Sequence, residues 1–545
     1  MGEGQKMKVT NKNLSRRMFL GMSGSAAVLA GLALAGCGGS QSTTDSGSTT
    51  ATSTSGSEGG GTISYGSAYS TQNYDPSSTS SALALSANWN VVEGLYELDY
   101  HDYSTYNGLA AGDPVKVDDT TFEVSLRDGA KFSDGSAVTP EDVIESFNRA
   151  TTEGNIYVSM LAPISSVEKK DERTVTVKTA VPNFSLLKNR LAIVRVIPAS
   201  MSKEDLTLKP VGSGPWKYDE ISDSSLTLSS NESYNGDHPA KDNQIRIDIL
   251  KDATARVTAQ QEGTTLISES VPADSIDMLK SAGCNVDTVQ GFGTRFMMFD
   301  VAKAPWDNVK VRQAVMYALN YDQMINNALA GKAAAPTSYL PETFTNYHKA
   351  STVYTYDQEK AKSLIKEAGI TPGDIELRTT DNDQVVAMAT QVKNDLDALG
   401  FNVSIKTDTS AATYAAIDQG DNIYDLLLAP GDPSCFGADP DLLLNWWYGD
   451  NVWMKTRCPW NGSDEYKRLH AKMDEALSAS GDAQQSAWND CFDILAENVP
   501  LYPVLQVQTS TASWTDAANA EGVKVKGFSG IGTTGVSLTD VTTVK

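Results

Sequence analysis

The stretch Phe122-Glu123-Val124-Ser125-Leu126-Arg127-Asp128-Gly129-Ala130-Lys131-Phe132-Ser133-Asp134-Gly135-Ser136-Ala137-Val138-Thr139-Pro140-Glu141-Asp142-Val143 opens as a strand and closes as the start of a helix. Phe122, Val124 and Leu126 alternate with polar residues, the period of a half-buried strand. Thr139 can cap a helix, Pro140 suits its first turn, and Glu141 and Asp142 meet the positive end of the helix dipole. Val143, Ile144 and Phe147 supply the apolar face. A strand followed by a capped amphipathic helix is the unit of α/β architecture.

The same grammar recurs along the chain. Val175 and Val177 alternate as a strand. Val311, Val315, Ala318 and Leu319 follow helical spacing that continues to Ile325. Asp357 can cap a helix bearing Ala361, Leu364, Ile365 and Ala368, which Gly369 ends. Val385, Ala389, Val392, Leu396 and Leu399 repeat the pattern before Gly400. Phe401, Val403 and Ile405 alternate again, and Tyr466, Leu469, Met473 and Leu477 mark one more helix face. A chain of 545 residues predicts two or three domains with cores of their own. No short-period repeat is present.

The net charge of -24 argues against nucleic acid, whose phosphates call for a basic surface. Acidity here reads as solubility. The N-terminus is basic (Lys6, Lys8, Lys12, Arg16, Arg17) and precedes a stretch rich in Gly, Ala and Leu, too short and glycine-rich for a membrane span. Ser15-Arg16-Arg17-Met18-Phe19-Leu20 resembles a twin-arginine export signal, and Leu34-Ala35-Gly36-Cys37 a lipobox, in which the cysteine is lipidated and the chain cut before it. Residues 1–36 therefore read as a signal peptide. Residues 37–61, nearly all Gly, Ser and Thr, read as a disordered tether spanning about 25–30 Å. Of five cysteines, Cys37 belongs to this signal. Export would permit disulfides, and Cys435 with Cys458 would brace one loop-rich segment. Spacing alone does not fix the connectivity.

Motifs for chemistry are scarce. Gly530-Ile531-Gly532-Thr533-Thr534-Gly535 fits G-x-G-x-x-G but lacks the following helix and acid that nucleotide binding needs. No nucleophile elbow, P-loop or zinc-protease motif occurs in the body, and the four histidines are scattered. No cofactor, metal site or catalytic group is expected. Aromatic density does stand out: Trp446, Trp447, Tyr448, Trp453 and Trp460 lie near Asp432, Asp439, Asp441 and Arg457. Tryptophan offers large apolar area plus a donor, which suits either a ligand-facing wall or a packing cluster between domains.

Several stretches together resemble the bacterial extracellular solute-binding proteins of family 5, the oligopeptide, dipeptide and nickel binding class. They are Asp75-Pro76 with Val92-Glu93-Gly94-Leu95-Tyr96; the quoted run from Leu126 to Val143; Val211-Gly212-Ser213-Gly214-Pro215-Trp216; Asn231 to Tyr234; Val311-Arg312-Gln313-Ala314 with Tyr317-Ala318-Leu319; and Tyr356-Asp357 with Ala361, Leu364 and Ala368-Gly369. The resemblance implies a two-lobed periplasmic-binding-protein fold with a hinge and an inserted domain. Lobe one is expected at 62–105, 209–298 and 500–545, the inserted domain at 106–208 and lobe two at 299–499. It also implies capture of a peptide between the lobes for an ABC permease and its ATPase, without turnover, by a lipid-anchored monomer outside the cytoplasmic membrane. A nickel complex, a sugar or haem on the same scaffold is the alternative, and an exported enzyme or adhesin a further one. In the peptide binders an aspartate after a lobe-two strand holds the ligand's α-ammonium, and Asp432 stands in the matching place, though within Ala429-Pro430-Gly431-Asp432-Pro433 rather than the family's usual Trp-containing pattern. A turn-capping aspartate is the other reading of Asp432. The segment Ser80 to Ala82 matches where the family contacts ligand backbone. With Trp446, Trp447, Arg457 and Tyr502 these make the candidate ligand-binding set.

Overall fold

The structure, a computed structural model, describes residues 58–420, 424–528 and 537–545. Cys37, the Arg16-Arg17 pair, the tether and the Gly530 to Gly535 stretch lie outside the described residues.

The quoted stretch folds as read. Phe122 and Val124 are buried in the strand Thr121–Ser125, and the helix runs Pro140–Ala150. The Asp142 carboxylate reaches back to accept from both the Thr139 N–H and its hydroxyl at 2.8 Å, which satisfies a donor that the helix start would otherwise leave unpaired. The strand belongs to a four-stranded sheet, Val115–Lys116, Thr121–Ser125, Thr174–Thr179 and Ile164–Lys169 in spatial order. Asp357 caps Gln358–Ala368, and Gly369, at φ +70°, ends it. One helix differs from the reading. The periodicity from Val311 to Ile325 is split into Val309–Ala318 and Tyr321–Leu329. Asn320 causes the break, because its side chain accepts from the Gln323 N–H and starts a new helix. Local capping here outcompetes an unbroken apolar period.

A second sheet, of eleven strands among the described residues, organises the rest. Its main path runs Asn402–Asp408, Asp374–Thr380, Leu426–Gly431, Asn285–Phe299, Leu501–Ser513, Ile267–Ser268, Thr62–Ser67, Gln244–Ile249, Ser225–Ser230, Trp216–Ile221. Parallel pairing occurs toward each end. In the middle lie two long antiparallel strands, Asn285–Phe299 and Leu501–Ser513. They pair with each other from Asn285 opposite Ser513 to Met298 opposite Leu501. One half of this pair borders Ile267–Ser268 and the other borders Leu426–Gly431. The register slips between Gln290 and Thr294 and again between Arg295 and Phe296. Such bulges bend a strand and raise its twist.

Two apolar cores flank this crossing. One joins Ile63, Tyr65, Leu226, Ile245, Ile267 and Trp514. The other, larger, joins Val124, Phe147 and Leu191 to Phe296, Leu396, Leu428 and Leu495.

Candidate ligand cleft

Leu426, Leu427 and Leu428 are wholly buried, as expected for a strand covered on both faces. The strand ends at Gly431, and Asp432 caps the short turn Pro433–Phe436. Its Oδ1 accepts from the Ser434 N–H at 2.9 Å and the Ser434 hydroxyl at 2.6 Å. Desolvation pushes the Asp432 carboxyl up to about 6, against the pull of Ser434 and of the Arg295 charge. Neighbouring strands define which way these groups face. Thr294 lies opposite Gly431, and a Cβ on Gly293 would come within 3.4 Å of Asp432 Oδ2. A Cβ on Gly431 would instead strike the Trp447 ring at 2.3 Å, with Phe296 behind. Alternation along the strand therefore sets Gly293, Arg295 and Asp432 on one face, and Trp447 with Phe296 on the other.

Arg295 donates from Nη1 to the Thr294 carbonyl at 3.0 Å and from Nη2 to Gln384. Gln384 lies in the first turn of helix Asp383–Leu399. Burial lowers the Arg295 guanidinium to about 10, and the charges that partly restore it are those of Tyr69 and Asp432. Tyr69 follows the strand Thr62–Ser67, near buried Glu269, which accepts from the Ser67 hydroxyl at 2.7 Å and the Ala68 N–H at 2.9 Å. Arg295 thus faces residues from both halves of the sheet.

Next to this lies a small pocket lined among others by Pro76, Leu85, Trp89, Tyr100, Arg195 and Phe436. Tyr100 donates to the Cys435 carbonyl at 3.0 Å and stacks at 4.3 Å on Trp89. Tyr157 meets Phe436 edge-on at 5.1 Å. Beside it, Arg190 of helix Leu187–Ile193 is fully buried and bridges to Asp439 (2.9 and 2.6 Å) and Asp441 (2.7 Å). Burial works to raise Asp439, but Arg190 outweighs it and the net shift is down; for Asp441 burial prevails and the shift is up.

The family profile described as bacterial extracellular solute-binding proteins, family 5 Middle, matches residues 104–455. The chain belongs to this family. The dipeptide-binding protein of Escherichia coli (strain K12) is 29% identical over 336 residues, 55% of this chain and 63% of that protein. A putative ABC transporter peptide-binding protein of Brucella ovis is 30% identical over 274 residues, 48% of this chain and 51% of that protein. Each alignment thus spans less than two thirds of the relative's length. Among solved structures, the dipeptide-binding protein of Pseudoalteromonas sp. SM9913 in complex with Met-Leu matches with a TM-score of 0.75 at 20% identity, covering 88% of this chain and 99% of that one. A periplasmic binding protein from Helicobacter pylori in complex with the peptide STSA matches at 0.77 and 20% identity, covering 90% and 99%. The fold of this family-5 chain is mixed α/β and of the peptide-binding periplasmic type. Family and relatives are binding proteins by name.

The structure brings some candidate residues together and leaves others in the packing. Asp432 stands at the strand end, within reach of the Arg295 charge. Trp446 is half-buried and stacks on Phe436 at 5.6 Å. Trp447 packs in the larger core against Phe296 (4.9 Å) and Trp453 (4.6 Å). Adjacent positions on helix Pro440–Tyr448 point about 100° apart, which separates the two rings. Arg457 pairs with Asp418 at 2.8 Å and stacks at 4.4 Å on Tyr414 and Trp453. Tyr502 is buried in the crossing strand Leu501–Ser513, edge-on to Tyr354 at 6.2 Å. Ser80 is exposed and Ala82 begins the helix Ala82–Val91; from this segment Pro76, Leu85 and Trp89 line the small pocket. The disulfide expected between Cys435 and Cys458 is not formed. Cys458 is turned inward, its Sγ 3.4 Å from the Pro500 carbonyl, while Cys435 Sγ lies 4.0 Å from the Asp432 carbonyl.

Arg295 and Arg190 were not singled out from sequence. Arg295 carries a visible signal, a lone cation inside Gly293-Thr294-Arg295-Phe296-Met297-Met298-Phe299. Arg190 carries none, since Leu187-Lys188-Asn189-Arg190 resembles any surface helix. No group of three or more potential metal ligands occurs among the described residues.

Proposed function

We propose that this chain captures peptides between two lobes and delivers them to an ABC permease and its ATPase, with Asp432 holding the ligand's α-ammonium. The supporting observation is the position of Asp432. It lies at the end of a buried strand, where α/β folds bind ligands, half-buried and with its carboxyl pushed up to about 6 by desolvation. A carboxylate kept from water gains most from a cationic partner. Capping Ser434 through Oδ1 fixes the direction of the carboxylate and is compatible with that role. We place the lobes at 62–105, 209–298 and 500–545 and at 299–499, with 106–208 inserted. Binding requires no nucleophile, and no turnover is proposed.

Isothermal titration of the parent and Asp432→Asn with a dipeptide and its N-acetyl form tests this as a double-mutant cycle. Loss of one partner from a desolvated charge pair costs roughly 2–5 kcal/mol, so either change alone weakens binding about 30-fold or more. The second change then adds little. A coupling energy near zero removes Asp432 from the ammonium site. If no peptide binds the parent, a non-peptide solute becomes the first reading, and native mass spectrometry of undenatured protein would show its mass.

We further infer a lipid-anchored monomer on the outer face of the cytoplasmic membrane, exported by the twin-arginine route and tethered through Cys37. Lipidation with a second anchoring signal makes attachment stable. Cys37→Ala should leave the membrane fraction; retention there as firmly as the parent overturns the anchor. Replacing Arg16 and Arg17 by Lys should stop processing; unchanged maturation overturns the route.

A further inference from the structure

Residues 106–208 are bound to their two neighbours in different ways. Toward lobe one the bonds run from backbone to backbone. The Leu109 N–H donates to the Gly94 carbonyl at 2.9 Å, that of Val196 to Glu93 at 2.8 Å and that of Ser133 to Gly212 at 2.9 Å. Two ion pairs add to them: Arg127 forks onto both oxygens of Glu93 (3.0 and 3.1 Å), and Arg195 meets Glu97 at 2.5 Å. Toward 299–499 no backbone-to-backbone bond occurs among the described residues. The bonds there use side chains and gather on Asp439 to Asn451. Arg190 holds Asp439 and Asp441. Ser159 donates to the Asn445 carbonyl at 3.0 Å, and Asn451 Nδ2 donates to Ser159 Oγ at 3.2 Å. Gly449 admits this approach, since a Cβ there would lie 2.7 Å from that of Ser159. Apolar contact across the seam includes Tyr157, edge-on to Phe436 at 5.1 Å.

We propose that residues 106–208 act as a clasp: they ride with lobe one and hold lobe two closed through Arg190, Asp439 and Asp441. The inference rests on the placement of the lobes above and not on the identity of the ligand. Backbone bonds between two parts make them one body, because parting them strands donors and acceptors that need partners. A seam of a few polar side chains is different, since water satisfies each side once it opens, and such seams allow relative motion. Lobe two can turn against lobe one about the paired strands Asn285–Phe299 and Leu501–Ser513. That turn leaves the backbone bonds of 106–208 intact and parts the Arg190 joint. The joint is also built to part. Arg190 is wholly buried when it is made, yet its Nε–H has no acceptor. Opening returns that donor and three charges to water, which offsets part of the Coulombic gain. A solute enclosed between the lobes leaves only when the clasp opens, so 106–208 acts in retention.

The test reads distances between spin labels by pulsed electron resonance in the full-length chain, with no peptide added. One pair, on Glu153→Cys and Asp474→Cys, spans the clasp. The other, on Glu153→Cys and Glu232→Cys, spans the joint with lobe one. All three positions are exposed, and the four cysteines of the described residues are buried. In the parent both pairs should show mainly the separations of the structure. Arg190→Ala should move the first pair to longer distances and leave the second unchanged. Its open-to-closed ratio should rise about 100-fold or more, as for loss of one partner from a buried ionic group. Ser159→Trp keeps every charge and wedges the same seam, so it should move the first pair alike. Arg190→Lys keeps the charge without the fork and should fall between. If Arg190→Ala leaves the first pair unmoved, the clasp is overturned. A parent that shows only the longer distance overturns it too, since the joint then holds nothing by itself. If both pairs move together, 106–208 does not ride with lobe one and the proposal fails. Should Arg190→Ala not fold, Ser159→Trp decides by the same two distances. Failure on any of these counts leaves the peptide reading standing.

Discussion

Arg190 is fully buried and Arg295 half-buried; both face the segment from Pro430 to Asp441, yet their partners differ. Arg190 divides its donors between Asp439 and Asp441. It makes one cation among two carboxylates and links the helix Leu187–Ile193 to the helix Pro440–Tyr448. Arg295 has no carboxylate bonded to it in the described residues, and burial depresses its guanidinium. The first is an ionic joint and the second a cation held by a carbonyl and a side-chain amide, and each keeps one buried Nε–H without an acceptor. An ion pair across two helices stiffens what it joins, whereas neutral acceptors leave the charge less compensated. What tells the two apart is the charge of their acceptors, carboxylates for Arg190 and neutral oxygens for Arg295.

The largest effect expected from this contrast is at the joint. Arg190→Ala leaves two buried carboxylates facing each other and should cost about 3–5 kcal/mol of stability, read from urea unfolding. A loss below about 1 kcal/mol would mean that water already reaches the triad. Replacing Arg190, Asp439 and Asp441 together by Met, Leu and Leu sharpens the point. The triple change should fall well short of the Arg190→Ala cost, because no charge is left stranded. Asp439 also caps its helix through the Leu442 N–H at 3.0 Å, so about 1 kcal/mol of cap loss remains.

Asp432 should respond to pH instead. With its carboxyl pushed up to about 6, Asp432 takes up a proton as pH falls through that value. Affinity for a free ammonium should hold above pH 7 and drop about tenfold per unit well below 6, read by titration calorimetry. The stability sign is the reverse. A carboxyl raised on folding stabilises the folded chain at low pH and loses that contribution as pH rises through about 6. Asp432→Asn should therefore not lose stability at pH 7 beyond about 1 kcal/mol for the cap. An affinity that is flat from pH 5 to 8 would show that the carboxylate is not what the ligand meets. The smallest effect is at Gly293→Ala. The added methyl meets Val507 at 3.2 Å and Asp432 Oδ2 at 3.4 Å, contacts tight enough to cost a few-fold in affinity and under about 1 kcal/mol in stability.

Much of the α/β grammar was readable because capping and periodicity are local. Thr139 with Asp142, Asp357 with Gly369, and the Phe122 to Leu126 alternation each depend on residues a few positions apart. Asn320 shows the limit: two helices share one apolar period, and only the capping bond reveals the break. The site was less readable because it is assembled over distance. Asp432 is read from its strand and its place in a family pattern, while Trp447, one residue from the half-buried Trp446, is turned into the core by helix geometry. Arg190 meets its carboxylates across about 250 residues of sequence, a relation no window detects. The Cys435 and Cys458 expectation failed for the same reason: proximity in sequence within a loop-rich segment says nothing of which way each thiol points.

Among the described residues of the main sheet, only Asn285–Phe299 and Leu501–Ser513 run from one half to the other, and they are bonded to each other along nearly their whole length. Mechanically they form a two-ply torsion bar. Any rotation of one half against the other must be taken up as twist in this ribbon, and the slips on either side of Thr294 and Arg295 are its most compliant points. Side chains bind the plies there: Gln290 donates to the Val507 carbonyl at 3.2 Å and Thr294 to that of Leu505 at 3.3 Å. Arg295 sits in the middle of the bar. Its guanidinium bonds to the Thr294 carbonyl and to Gln384 of the helix Asp383–Leu399, so the middle of the axle is also tied to the helix beside it.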